Sequence, residues 1–115
     1  MADRDHCVKA TRREGDTLIV QLAGEVDLHH NREIREALIG ACDEKPPRLV
    51  INLHDVGYMD SSGIGTLVEV YRRVKAYDGQ LRLCGLSDRV HSVFEVTKLD
   101  HFFEIYDTES EALSA

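Results

Sequence analysis

The chain has 115 residues and a formal net charge of −7, with 43% hydrophobic and 30% charged residues. This length fits one domain with one modest core, and the composition is that of an ordinary soluble globular protein. The acidic balance argues against a nucleic-acid binder, which carries a basic face, and against docking on an anionic membrane surface.

No apolar run approaches the roughly 18 residues of a spanning helix, so no direct membrane insertion is expected. Residues 1–5 lack the apolar stretch of a secretory signal, so a cytoplasmic location is expected. The three cysteines, Cys7, Cys42 and Cys84, are odd in number and far apart. They read as small buried hydrophobes rather than as a disulfide framework or a zinc site.

In chain order, strand-like and helix-like segments alternate, which points to an α/β or α+β layer structure. Residues 7–11 read as a first strand and 17–23 as a second. The turn cluster Arg13, Glu14, Gly15 and Asp16 between them makes a hairpin. Ile34, Leu38, Ala41 and Cys42 share one stripe of a first helix, with Ala37 beside them. Pro46 and Pro47 end it.

Residues 49–53, Leu-Val-Ile-Asn-Leu, form a short apolar run expected in a central buried strand. A second helix is predicted over about 63–77 from Ile64, Leu67, Val68, Tyr71 and Val74, with Gly79 as its C-terminal cap. Residues 81–84 read as a strand. Ser87 is placed to cap a third helix carrying Val90, Val93 and Phe94. Residues 103–106 suggest a last short strand, and Thr108 and Glu111 form a capping box for a terminal helix.

Chemistry concentrates between the apolar strand and the second helix, in Tyr58-Met59-Asp60-Ser61-Ser62-Gly63-Ile64-Gly65. The end of a central strand, where a helix begins, is the usual ligand or partner edge of an α/β sheet. Gly63 and Gly65 each cost up to about 1 kcal/mol relative to alanine at a helix start, which suggests close approach by another molecule. Asp60, Ser61 and Ser62 are all good N-cap residues, so a capped helix following a strand also accounts for them.

Asp60-Ser61-Ser62-Gly63-Ile64-Gly65 resembles the signature of the STAS-domain anti-sigma factor antagonists. Residues 49–53 with Tyr58 and Met59, and Gly24-Glu25-Val26-Asp27 with its neighbours Leu22, Ala23 and Leu28, resemble the same family. The likeness runs from about Val8 to Leu113, so a single STAS domain is expected over 1–115, with its core at about 7–113. The resemblance implies an α/β (α+β) fold: a mixed sheet of four or five strands, with about four helices packed mainly on one face.

It also implies partner switching. The unphosphorylated protein binds an anti-sigma factor that is itself a serine kinase, and so frees a sigma factor. The kinase phosphorylates Ser61, the complex separates, and a metal-dependent serine phosphatase resets the protein. The expected partner surface is Glu25, Asp27, Asp60, Ser61, Ser62, Gly63, Ile64 and Gly65. Gly63→Val is therefore expected to damage binding more than folding. A rival reading is a STAS subunit of a lipid or anion transport complex, or of a signalling scaffold, acting without a sigma factor.

No cofactor, metal site or catalytic residue is expected. His29 and His30, as neighbours on a helix, would point in different directions and chelate poorly, and His6, His54, His91 and His101 are scattered. Glu25 and Asp27 read as partner contacts rather than a catalytic pair, with Asp27 helping to start the first helix. Arg72, Arg73 and Lys75 read as a solvated helix face. Ser61 lacks the Gly-x-Ser-x-Gly elbow of a hydrolase, with His54 as the one histidine left open as its base. No Gly-x-x-x-x-Gly-Lys-Ser/Thr loop is present for nucleotide phosphates.

Overall fold

The apolar run at residues 49–53 lies in the middle of a five-stranded sheet. The computed structural model describes residues 7–115. Its elements are β1 (Val8–Glu14), β2 (Thr17–Val26), α1 (Asn31–Asp43), β3 (Arg48–Met59), α2 (Ser61–Ala76), β4 (Gln80–Cys84), α3 (Asp88–Val96), β5 (Glu104–Tyr106) and α4 (Glu109–Ser114). The strands stand in the order β1-β2-β3-β4-β5. β1 and β2 form the expected antiparallel hairpin, turning at Gly15 and Asp16, and the other neighbours are parallel.

Parallel neighbours need crossovers, and α1, α2 and α3 supply them. Strand alternation then sorts the side chains. Leu18, Val20 and Leu22 of β2, Leu49, Ile51 and Leu53 of β3, and Leu81 and Leu83 of β4 face forward. They pack on Ile34 and Leu38 of α1, Leu67, Val70 and Val74 of α2, and Val90 and Phe94 of α3. The back face carries Ile19, Val50 and Cys84, covered by Ala112 and Leu113 at the end of the chain.

The small apolar contact of α4 is supplemented by polar ones. Arg82, only 6% exposed, donates to the Ala112 carbonyl (2.9 Å), and Arg48 donates to that of Leu113 (3.2 Å). Asn52 donates to Glu109 (2.9 Å), which also pairs with Arg12. All three cysteines are buried, and burial pushes the Cys42 and Cys84 thiols up to about 11.

Three expectations are corrected in detail. β3 does not stop at Leu53 but continues to Met59. Its register against β2 slips twice, between Gln21 and Ala23 and between Gly24 and Glu25. At each slip β3 spends one extra residue, which is a β-bulge. Leu49, Ile51 and Leu53 are followed at inward positions by Val56 and Met59, so the period of two is lost from the sequence while the strand persists.

The second correction is at the end of α2, where Asp78, not Gly79, takes the left-handed conformation (φ 66°). The Gly79 amide bonds the Val74 carbonyl (2.9 Å) and the Asp78 amide bonds that of Lys75 (3.0 Å), which is the Schellman pattern with Asp78 at its turning point. Third, α2 begins at Ser61 rather than Gly63, because Asp60 caps it.

Candidate functional site

The C-terminal ends of β2, β3 and β4 share one edge of the sheet, and α1, α2 and α3 start from it. The strand order is sequential, without the reversal that opens a ligand crevice in doubly wound sheets. Two clefts of about 300 and 390 Å³ lie at the opposite end, lined by residues such as Cys42 and Tyr77 or Thr17 and Arg48, and Ser61 lines neither.

Asp60 organises this edge. Its amide donates to the Val26 carbonyl (3.2 Å), joining the ends of β3 and β2. Its Oδ1 accepts from the Ser62 amide (2.9 Å), the Ser62 hydroxyl (2.6 Å) and the Gly63 amide (3.3 Å). Its Oδ2 accepts from the Leu28 amide (3.2 Å). These bonds favour the charged form, the Ser62 hydroxyl most, and outweigh burial, so the carboxyl lies below its ordinary range.

The six residues 60–65 have divided roles. Ser61 is exposed, and its hydroxyl has no hydrogen-bond partner among the described residues. Ser62 is half-buried with its hydroxyl bound to Asp60. Gly65 is exposed with open space around it. Ile64 is buried in the core.

Gly63 is also buried, and a Cβ there would meet Val26 Cγ1 and the Val26 carbonyl at 2.7 Å and Met59 Cγ at 2.9 Å. This corrects the expectation for Gly63→Val. The glycine lets the helix start approach β2 of its own fold, and folding is what the substitution damages first.

The turn between β2 and α1 lies alongside. Its Asp27 Oδ1 accepts from the His30 amide (3.0 Å) and faces His30 Nδ1 (2.8 Å). Burial pushes the Asp27 carboxyl up and neighbouring Asp60 adds to that, but the His30 bonds win and the group lies below its ordinary range. Asp27 braces the helix start from outside, because His30 occupies the N-cap position and offers no side-chain cap.

His29 and His30 therefore lie at the turn before α1, not along a helix, with their rings edge-on at 4.8 Å. Glu25 is exposed at the end of β2. Donor atoms of Glu25, Asp27 and His30 fall within 4.8 Å of one another. Thr66 donates to Asn31 (2.6 Å) and locks the starts of α2 and α1 together.

Elsewhere, Arg73 pairs with Glu69 (3.3 Å) and Lys75 lies over the Tyr71 ring (5.9 Å). His54 faces Asp55 (3.2 Å), and no histidine bonds Ser61 among the described residues. His6 lies outside the described residues. Sequence reasoning missed Leu28, a leucine 76% exposed in an otherwise polar turn. Its signal was an apolar residue with no periodic partner.

A family model described as STAS domain matches residues 8–112. The chain belongs to the STAS domain family. It is 37% identical to the anti-sigma-B factor antagonist of Bacillus subtilis, over 85% of this chain and 88% of that one. To the anti-sigma-B factor antagonist of Listeria monocytogenes it is 34% identical, over 90% and 91%.

Among solved structures, the anti-sigma factor antagonist SpoIIAA in its unphosphorylated form superposes with a TM-score of 0.76 at 29% identity, over 93% of this chain and 91% of that one. The phosphorylated form of SpoIIAA from Bacillus superposes at 0.70 and 25% identity, over 91% and 96%. These relatives are regulatory antagonists, which does not favour the transporter-subunit reading. No helix among the described residues is long and apolar enough to cross a membrane.

Proposed function

We propose that this STAS domain is an anti-sigma factor antagonist switched by phosphorylation of Ser61, a cytoplasmic binding protein and not an enzyme. In its unphosphorylated form it binds an anti-sigma factor with serine kinase activity and so releases a sigma factor. The kinase moves the γ-phosphoryl group of ATP to Ser61 Oγ, the complex separates, and a metal-dependent serine phosphatase restores the hydroxyl. Glu25, Asp27, Asp60, Ser61, Ser62 and Gly65 form the partner surface, while Gly63 and Ile64 shape it from beneath.

The observation that carries this reading is the contrast between the adjacent hydroxyls. Ser61 is exposed and has no hydrogen-bond partner among the described residues, whereas Ser62 is held by Asp60. A kinase can take the first without disturbing the cap. Phosphorylation adds about −1.5 to −2 charge, beside Asp60 and Asp27. The helix start tolerates that charge, but an interface built around a neutral hydroxyl does not.

Losing a serine hydroxyl costs an interface about 0.5–1.5 kcal/mol. Desolvating a new charge next to a like one costs more. Ser61→Ala should therefore bind and resist inactivation by ATP. Ser61→Asp should bind at least about tenfold more weakly, which is about 1.4 kcal/mol, and true phosphorylation should weaken binding further.

The test is to capture partners from the native cytoplasm with unphosphorylated protein, identify the kinase by mass, map the phosphate and titrate both forms by calorimetry. Phosphate on Ser62 alone would refute the acceptor. Equal binding of both forms would refute the switch.

A further inference from the structure

The geometry points to Leu28 as an apolar anchor for the partner, with Asp60 as the positioning residue that presents it beside Ser61. This rests on the reading of the Ser61 edge as an anti-sigma factor surface, and it adds a residue and a recognition chemistry to that reading.

Single exposed apolar residues are ordinary on protein surfaces, and exposure alone proposes nothing. Val96, in the last turn of α3, is 81% exposed against 76% for Leu28. Leu28 differs in its surroundings. Its amide is held by Asp60 Oδ2 (3.2 Å), across 32 positions of sequence. The turn is closed on either side of it: the His30 amide bonds Asp27 through both its carbonyl (3.2 Å) and its carboxylate (3.0 Å). Asn31 to Thr66 (2.6 Å) then fixes the start of α1 against α2.

The same carboxylate that caps the helix of Ser61 therefore holds the leucine. A side chain presented on a braced backbone loses less freedom on binding than one on a loose loop. The charges nearby are Glu25, Asp27 and Asp60, with His30 against Asp27. The complementary partner surface is an apolar pocket rimmed by arginine or lysine. A phosphate on Ser61 would have to be desolvated beside Asp60 and Asp27 before the leucine could seat, and that cost opposes the attraction of the rim. Ser61 and Leu28 then act as one surface, since whatever seats the leucine must also accommodate Ser61.

Leu28→Ala and Val96→Ala should be titrated against the anti-sigma factor identified under Proposed function. The expected result is a loss of at least about tenfold for Leu28→Ala and none for Val96→Ala. Amide hydrogen exchange on the free protein tests the positioning role without a partner. Asp60→Asn should speed exchange at Leu28 by more than at Leu53 in the centre of β3, which reports only the loss of global stability. Equal affinities for Leu28→Ala and wild type overturn the anchor and leave the switch standing. Exchange at Leu28 that speeds by no more than at Leu53 overturns the role of Asp60. If wild type binds no anti-sigma factor, the proposed function fails, and the anchor with it.

Discussion

On its inner side the first turn of α2 is packed to the limit. Gly63 has backbone and side-chain atoms where a Cβ would stand, and Ile64 and Thr66 are buried. On its outer side the same turn presents Ser61 to solvent and leaves open space around Gly65. One helix start thus carries a part that the fold cannot alter and a part that the fold does not use. A modification on the outer side can act on a partner without unfolding the protein, and Asp60 stands between the two with bonds to both.

The comparison breaks most severely at Gly63. Gly63→Val should cost at least about 3 kcal/mol, since the obstructing Val26 carbonyl belongs to a strand and cannot swing away. At roughly 4 °C per kcal/mol for a domain of this size, the melting temperature should fall by more than about 12 °C. A stable Gly63→Val protein would mean that the inner side is not closed.

Asp60→Ala should follow, at about 1–2 kcal/mol, as a lost N-cap. Denaturant titration with an unchanged m-value checks it. The acid dependence of this cap has a definite sign. The folded carboxyl is held below its ordinary range, so its stabilisation is present above the unfolded value of about 3.9 and is lost as pH falls through the folded one. The stability gap between wild type and Asp60→Asn should be widest near neutrality and narrow below about pH 4. A gap independent of pH would remove the charge from the explanation.

On the outer side the effects should be small and of the other sign. Gly65→Ala should stabilise by about 0.5–1 kcal/mol, because the site is open and helical. Ser61→Asp should leave unfolding within about 0.5 kcal/mol of wild type, as attraction to the helix start and repulsion by Asp60 offset each other. A large loss in either variant would show that the outer side also holds the fold.

Features written within one or two turns of helix were legible in the sequence. Ser87 accepts from the Val90 amide as expected (3.2 Å). Thr108 and Glu111 make both bonds of the capping box. The apolar stripes of α1 and α2 face the core. A cap spans three residues and a stripe repeats every 3.6, so the chain states them locally.

Tertiary structure decided the rest. β3 outruns its alternation because β2 absorbs two bulges in it. Asp78 rather than Gly79 turns left-handed, while a Cβ on Gly79 would run into Tyr77 and Val74. Leu28 joins the Ser61 edge through a bond across 32 residues. Gly63 and Gly65 are the same residue two positions apart, and what separates them is the end of β2, brought against one and not the other by the packing of the sheet.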